Sequence, residues 1–406
     1  MDVTEKNAVD DLDNFEPVAR IIVIGVGGAG NNAVNRMIDE NIQNVEFYVA
    51  NTDKQALATS KAPNRIVLGD EVTKGLGAGG DPAVGKQAAV ASTEKIKAIV
   101  KGADMVFIAA GMGKGTGTGA APVIAKIAKD SGALTVAIVT RPFTFEGPKR
   151  ISNSVEGLSE LKDAVDSIII VSNDKLLMSS GNAPIDQAFK ESDRILAQSV
   201  KTVADLILMP ALINLDFADV RSTLKSSGIA LIGFGTGQGS NKAEDAAENA
   251  INSPLLEASI SGARRAICAV TCGSGVTLYE AQECVARINE QAGGAIDIKF
   301  GVSINPNLTD SIVVSVIASD FTEEYDFTSV PQLKFPKDKS QLGNGVDSVQ
   351  KEEVAKIEES EDKSGDKQED LAGDILPDFL KGSVDDSGDG NTGNGDIGSN
   401  GAGGLY

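Results

Sequence analysis

The sequence predicts an α/β protein: a doubly wound, mostly parallel sheet, a long central helix, a second, smaller α/β domain and a disordered acidic C-terminal tail. Three observations carry this reading. Short apolar runs alternate with helical segments from Ile21 onward, an unbroken 3.6-residue period begins near residue 184, and charge rises abruptly at residue 320.

Residues 1–18 read as a disordered lead. The runs that follow are RIIVIGV (20–26), VEFYVAN (45–51), RIVLG (65–69), ADMVFIAAG (103–111), LTVAIVT (134–140) and SIIIVSN (167–173). They are continuous rather than alternating, the pattern of strands covered by helices on both faces. Residues 19–183 therefore form the first, doubly wound domain. In 184–210, Ile185, Phe189, Ile195, Leu196, Val200, Val203, Leu206 and Ile207 keep a helical period between Pro184 and Pro210. This long helix bridges to residues 211–319, where GIALIGFG, RRAICAVTCG, IDIKFGVSIN and SIVVSVIAS alternate with helical stretches. From residue 320 to 406 there are 21 acidic and 8 basic residues, and few aliphatics, so chain entropy outweighs any burial. Residues 320–373 read as a disordered linker and 383–406 as a Gly/Asp-rich tail. Between them, DILPDFLKG (374–382) is an apolar island suited to docking in a partner's groove.

The net charge of −21 argues against non-specific nucleic-acid binding and against adhesion to anionic membranes. No apolar run approaches the roughly 20 residues of a bilayer span, so no direct membrane insertion and a cytoplasmic location are expected. Three cysteines (Cys268, Cys272, Cys284) without any histidine make a poor zinc set and read as buried packing residues. The missing histidine also excludes Ser-His-Asp and Cys-His catalysis.

Chemistry falls to the loops. Gly25, Gly27 and Gly30 in IIVIGVGGAGNNAV (21–34) spell G-x-G-x-x-G at a strand–helix turn, which alone suggests dinucleotide binding, with Asp53 as the ribose acid. GDPAVGKQ (80–87) resembles a Walker A loop but has Gln87 where Ser or Thr would hold Mg²⁺. Its surroundings read as a mobile loop able to cover a ligand. GMGKGTGTG (111–119), five glycines in nine positions, is a second strand–loop–helix anion site, and two such loops suit a triphosphate better than a dinucleotide. Glu146 and Arg150 fit a ribose hydroxyl and a phosphate or base, or simply a surface ion pair. Phe189 and Asp193 share a helix face and fit a stacked guanine, or a core phenylalanine and a solvated aspartate. In NLDFADVR (214–221), Asp216 and Asp219 share a face at a helix start, either capping it or holding a cation or water. They lie roughly 30 Å from the phosphate loops along the helix.

GMGKGTGTG is similar to the G-G-G-T-G-T-G signature of the tubulin/FtsZ family. With GVGGAGNN, NTD, FTFEGPKR, SNDKLL and NLDFADVR in this order, residues 18–319 resemble its bacterial cell-division branch. The resemblance implies a GTPase that assembles head to tail into the protofilaments of a mid-cell division ring. It implies GTP or GDP bound by Gly27, Gly28, Ala29, Gly30, Asn31 and Asn32 and by Gly113, Lys114, Gly115, Thr116, Gly117, Thr118 and Gly119. Thr140, Glu146, Arg150, Asn173, Phe189 and Asp193 complete the pocket. Asn214, Asp216 and Asp219 would act on the nucleotide of the next subunit. Mg²⁺ travels with the nucleotide, a monovalent cation beside it, and no side-chain metal site is readable. DILPDFLKG resembles the family's peptide for membrane-tethering and regulatory division proteins. Two departures stand out: Lys114 replaces a usual glycine, and the chain runs 24 residues past Gly382. An NAD-dependent oxidoreductase and a non-polymerising GTP-binding regulator are the competing classes.

Overall fold

The computed structural model describes residues 19–180, 184–209, 211–253, 255–294 and 296–322. The expected lead, the docking segment 374–382, the tail and all but the first residues of the linker lie outside the described residues.

The first half runs β1 (Ile21–Val26), α1 (Gly27–Asp39), β2 (Glu46–Asn51), α2 (Lys54–Ala58), β3 (Asn64–Val67), α3 (Asp70–Thr73), α4 (Pro82–Ala91) and α5 (Thr93–Val100). It continues with β4 (Met105–Gly111), α6 (Gly115–Asp130), β5 (Leu134–Arg141), α7 (Pro148–Ala164), β6 (Ser167–Ser172) and α8 (Asn173–Ser180). Then come α9 (Ile185–Leu208), α10 (Phe217–Leu224), β7 (Gly228–Gly237), α11 (Lys242–Ile251), β8 (Ala263–Cys272), α12 (Leu278–Gln291), β9 (Asp297–Ile304) and β10 (Ile312–Phe321).

The ten strands of the described residues join one sheet in the order β3-β2-β1-β4-β5-β6-β7-β10-β8-β9. Pairing is parallel from β3 through β7, antiparallel on both sides of β10, and parallel again between β8 and β9. Strand β1 shows why its sequence is continuously apolar. Ile21 and Val23 enter one core with α1 and α9, while Ile22, Ile24 and Val26 enter another with α4, α5, α6 and α7. Neither face meets water, so neither tolerates a polar alternate.

Helix α9 spans 24 residues, about 36 Å at 1.5 Å per residue. Ile195, Leu196, Val200 and Val203 share one core with Val23 of β1 and with Phe234, Ile267 and Ile317 of the second half. The helix is thus a shared wall of this two-domain fold. The sheet itself also crosses, through only three β6–β7 pairs from Ser167↔Gly228 to Ile169↔Ala230. The three cysteines are free and buried in the second half. Burial pushes the Cys272 and Cys284 thiols up to about 11 and about 12, which leaves them protonated and inert.

Candidate functional site

In the order 3-2-1-4-5-6 the chain reverses direction between β1 and β4, and ligands of open α/β sheets bind beyond the carboxyl ends of the strands at such a switch point. Both glycine loops follow these two strands. They touch: Gly27 has φ +73°, and a Cβ there would sit 2.9 Å from the Gly117 nitrogen. A Cβ on Gly117 would lie 2.5 Å from the Gly111 carbonyl oxygen. The helices they open, α1 and α6, have no side-chain N-cap bond and no acidic residue in the first turn. By contrast Asp53, Asp81, Asp216 and Thr277 cap α2, α4, α10 and α12. Two helix N-termini with uncapped N–H groups side by side form a site for a polyanion.

The loop residues divide into those that build it and those that face its opening. Gly28, Asn32 and Lys114 are exposed, and Ala29 and Thr116 are half-buried. Gly30 packs against the Ala109 carbonyl, where a Cβ would approach to 2.3 Å. Asn31 is 3 % exposed; its amide donates to the Gly27 and Gly25 carbonyls at 2.9 and 3.1 Å and accepts from Asn51 at 3.3 Å. Thr118 is buried and its hydroxyl accepts from the Gly113 N–H at 2.8 Å. The Thr116 and Thr52 hydroxyls meet at 2.7 Å. Gly115 is buried against Ala78 and Asp81, and Gly119 against Pro82. The Walker-like stretch is part of helix α4, and its Gly85 packs against the Gly115 carbonyl. The segment before it is tied down, with Lys54 N–H donating to Gly75 O at 3.0 Å and Gly77 N–H to Thr52 O at 3.1 Å. Residues 82–85 of the expected covering loop at 74–85, a third of it, are therefore helix. Asp53 caps α2, accepting from Gln55 N–H at 2.8 Å, which removes the ribose acid of a dinucleotide reading.

Beyond β5 and β6 the remaining candidates gather. Thr140 is buried at the end of β5 and accepts from Met112 N–H at 2.9 Å. Glu146 pairs with Arg150 and accepts from Phe143 N–H at 3.1 Å. Phe143 stacks on Phe145 at 4.9 Å and meets Phe189 edge-on at 5.1 Å. Phe189 is 43 % exposed on α9, an open aromatic face rather than core. Asn173 is buried and accepts from the Ser192 hydroxyl at 2.8 Å. Burial pushes the Asp193 carboxyl up to about 7, opposed by the Arg36 charge.

Three residues, in or beside stretches singled out by sequence, take roles that the sequence did not assign them. Asp174 accepts from the Thr144 N–H at 2.9 Å and from its hydroxyl at 2.6 Å, joining the β5 and β6 loops. Arg141, buried, faces the Glu257 carboxylate at 3.7 Å. Lys175 Nζ donates to the Leu256 and Glu257 carbonyls at 2.6 and 2.9 Å, and burial lowers its pKa. The residues after Thr140 and Asp174 thus hold a loop of the second half. Their only sequence signal is position, at or just past the carboxyl end of a strand.

The acidic loop lies elsewhere. Asp216 and Asp219 cap one another: Asp216 accepts from Asp219 N–H at 2.8 Å and Asp219 from Asp216 N–H at 3.4 Å. Asn214 accepts from Ala211 N–H at 2.6 Å. Arg221 reaches the Gly132 carbonyl at 3.4 Å, before the amino end of β5. Phosphate loops and carboxylates therefore sit at opposite ends of the strands and of α9. Among the described residues no group of three or more His, Cys, Asp or Glu could hold a metal.

A doubly wound sheet with two uncapped glycine-loop helices at its switch point defines a phosphate-binding α/β protein. Residues 20–181 match the Tubulin/FtsZ family GTPase domain, and residues 228–322 match the FtsZ family C-terminal domain. Among solved structures, an empty FtsZ dimer from M. jannaschii is 41 % identical, covering 79 % of this chain and 92 % of that one, with TM-score 0.71. A point mutant of M. jannaschii FtsZ is 42 % identical over 77 % of this chain and 94 % of that one, with TM-score 0.72. CetZ2 from Haloferax volcanii shares the fold at 21 % identity over 74 % and 92 % of the two chains, with TM-score 0.64. The chain belongs to the tubulin/FtsZ family and is a GTPase. These relatives are archaeal, so a bacterial origin does not follow from them. Among the described residues no helix is long and apolar enough to cross a membrane.

Proposed function

We propose that this GTPase polymerises head to tail in the cytoplasm, builds a mid-cell division ring, and hydrolyses GTP only where two subunits meet. The observation that carries the reading is the separation of the site: uncapped helix N-termini at one end, the Asp216/Asp219 pair at the other. A helix of about 36 Å stands between them, so one subunit cannot bring both to one phosphate. Stacking copies in one direction can.

In this scheme the first-turn amides of α1 and α6, with Gly28, Thr116 and their neighbours, hold the phosphates and take up charge that develops on transfer. Glu146 and Arg150 meet the ribose, Asn173 and Asp193 the guanine edge, and Phe189 stacks on the base. Asp216 and Asp219 of the following subunit, with Asn214, orient the attacking water. With no acidic cluster at the phosphate loops, Mg²⁺ fits only as a companion of the nucleotide's own oxygens, where it supplies charge neutralisation. A monovalent cation belongs beside Asp216 and Asp219. Residues 374–382 are proposed to dock membrane-tethering and regulatory division proteins.

Mixing two variants tests this. Asp216→Ala is expected to bind GTP normally and hydrolyse it roughly 10²-fold more slowly. Gly117→Asp, whose side chain would collide with Gly111 and repel phosphate, is expected to lose binding. Mixed together, they should partly recover hydrolysis. Loss of GTP binding by the Asp216→Ala monomer would refute the shared site, and absence of GTP-dependent sedimentation of the unaltered protein would refute polymerisation.

A further inference from the structure

We propose that Lys114 is an interfacial cation, shared between the terminal phosphate of bound GTP and the Asp216/Asp219 carboxylates of the next subunit. The inference rests on the head-to-tail reading above. Lys114 is the N-cap residue of α6, with extended backbone (φ −97°, ψ −173°) and no capping bond. It is exposed, and no carboxylate pairs with it among the described residues. Nearby Arg150 and Lys86 are held by Glu146 and by Glu160.

The need for such a cation is electrostatic. The chain carries −21, and residues 25–34 and 111–122, which form both phosphate loops, contain a single charged side chain, Lys114. Assembly brings an exposed carboxylate, Asp216, and a half-buried one, Asp219, toward a triphosphate. Like charges converging at an interface disfavour docking unless a counter-charge lies between them. A lysine stem reaches about 6 Å, on the scale of a single contact layer, and its ammonium offers three donors in rotatable directions. Lys114 can therefore hold phosphate in the free subunit and take up a second acceptor when the carboxylates arrive. A glycine at this position leaves that work to dissolved cations.

The test is a double-mutant cycle on assembly, read by sedimentation with a slowly hydrolysed GTP analogue across a KCl series. Lys114→Gln is expected to weaken monomer binding of the analogue about tenfold, through loss of the charged phosphate contact, so assembly is compared at saturating analogue. Its critical concentration is expected to rise about tenfold at low salt. Lys114→Arg is expected to restore assembly, which shows that charge rather than local folding is responsible. In an Asp219→Asn background the Lys114→Gln effect is expected to shrink to less than about twofold, the mark of a coupled pair. Unchanged assembly by Lys114→Gln, failure of Lys114→Arg to rescue, or an equal effect in both backgrounds would overturn the proposal while leaving the shared site standing. Absence of polymer from the unaltered protein would overturn both.

Discussion

Asp193 gives the chain an acid–base group near neutrality, in a sequence with no histidine. Its carboxyl titrates at about 7 because burial disfavours the ionised form. On the proposed placement of Asp193 against the guanine edge, the N–H donors of that edge require the carboxylate. GTP affinity is therefore expected to fall up to tenfold per pH unit below about 7 and to be flat above it. Binding at pH 6 should release a proton, measurable by titration calorimetry in buffers of different ionisation enthalpy. In the empty protein the same raised value opposes folding: the unfolded aspartate ionises near 3.8, so this contribution destabilises progressively from there up to about pH 7. Glycine shows what is legible at this scale. The density in GMGKGTGTG points to phosphate, yet its residues do different things. A Cβ at Gly119 would lie 1.9 Å from the Pro82 carbonyl, so Gly119→Ala is expected to cost about 2 kcal/mol in urea unfolding. Gly28, with nothing within 4 Å of a Cβ, is expected to accept alanine without loss of stability while GTP binding weakens. Spacing cannot separate the two kinds, because the difference lies in which distant backbone approaches.

Among the elements, strands and the long helix are legible and their partners are not. The runs at 20–26, 103–111, 134–140 and 167–173 correspond to β1, β4, β5 and β6 because burial on both faces leaves a continuous apolar signature. Helix α6 is less obvious: three glycines in its first five positions and Pro122 inside give it poor intrinsic propensity. Close packing against α4, made possible by Gly85 and Gly119, holds it in place. Phe189 keeps the helical period of α9 but is open to solvent, since periodicity marks a face and not what covers it. The least legible link is the one from Arg141 and Lys175 to the loop at Leu256 and Glu257. Removing one partner of a buried ion pair is costly, and Arg141→Met is expected to lower stability by about 3 kcal/mol. Arg141→Met with Glu257→Met is expected to lose less than the single change, as read from denaturant midpoints.

At the level of the whole molecule, strand order is beyond the sequence, because β10 inserts between β7 and β8 through contacts remote along the chain. The expected pair of α/β units share one sheet, with α9 serving both. The fold class can be read because local pattern determines layers. Topology cannot, because long-range pairing is set by which edges are left unpaired. The acid-rich segment from 323 onward lies outside the described residues. What the sequence raises without resolving is distance: Asp216 and Asp219 look too far from the phosphates for a single chain, and the fold places them at the opposite end. On the proposed reading this has an arithmetic consequence. A filament of n subunits contains n − 1 finished catalytic centres, and an isolated molecule contains none. Turnover per milligram is then not a constant of the protein: it rises with concentration, and the nucleotide on the terminal subunit that lacks a neighbour outlives those behind it.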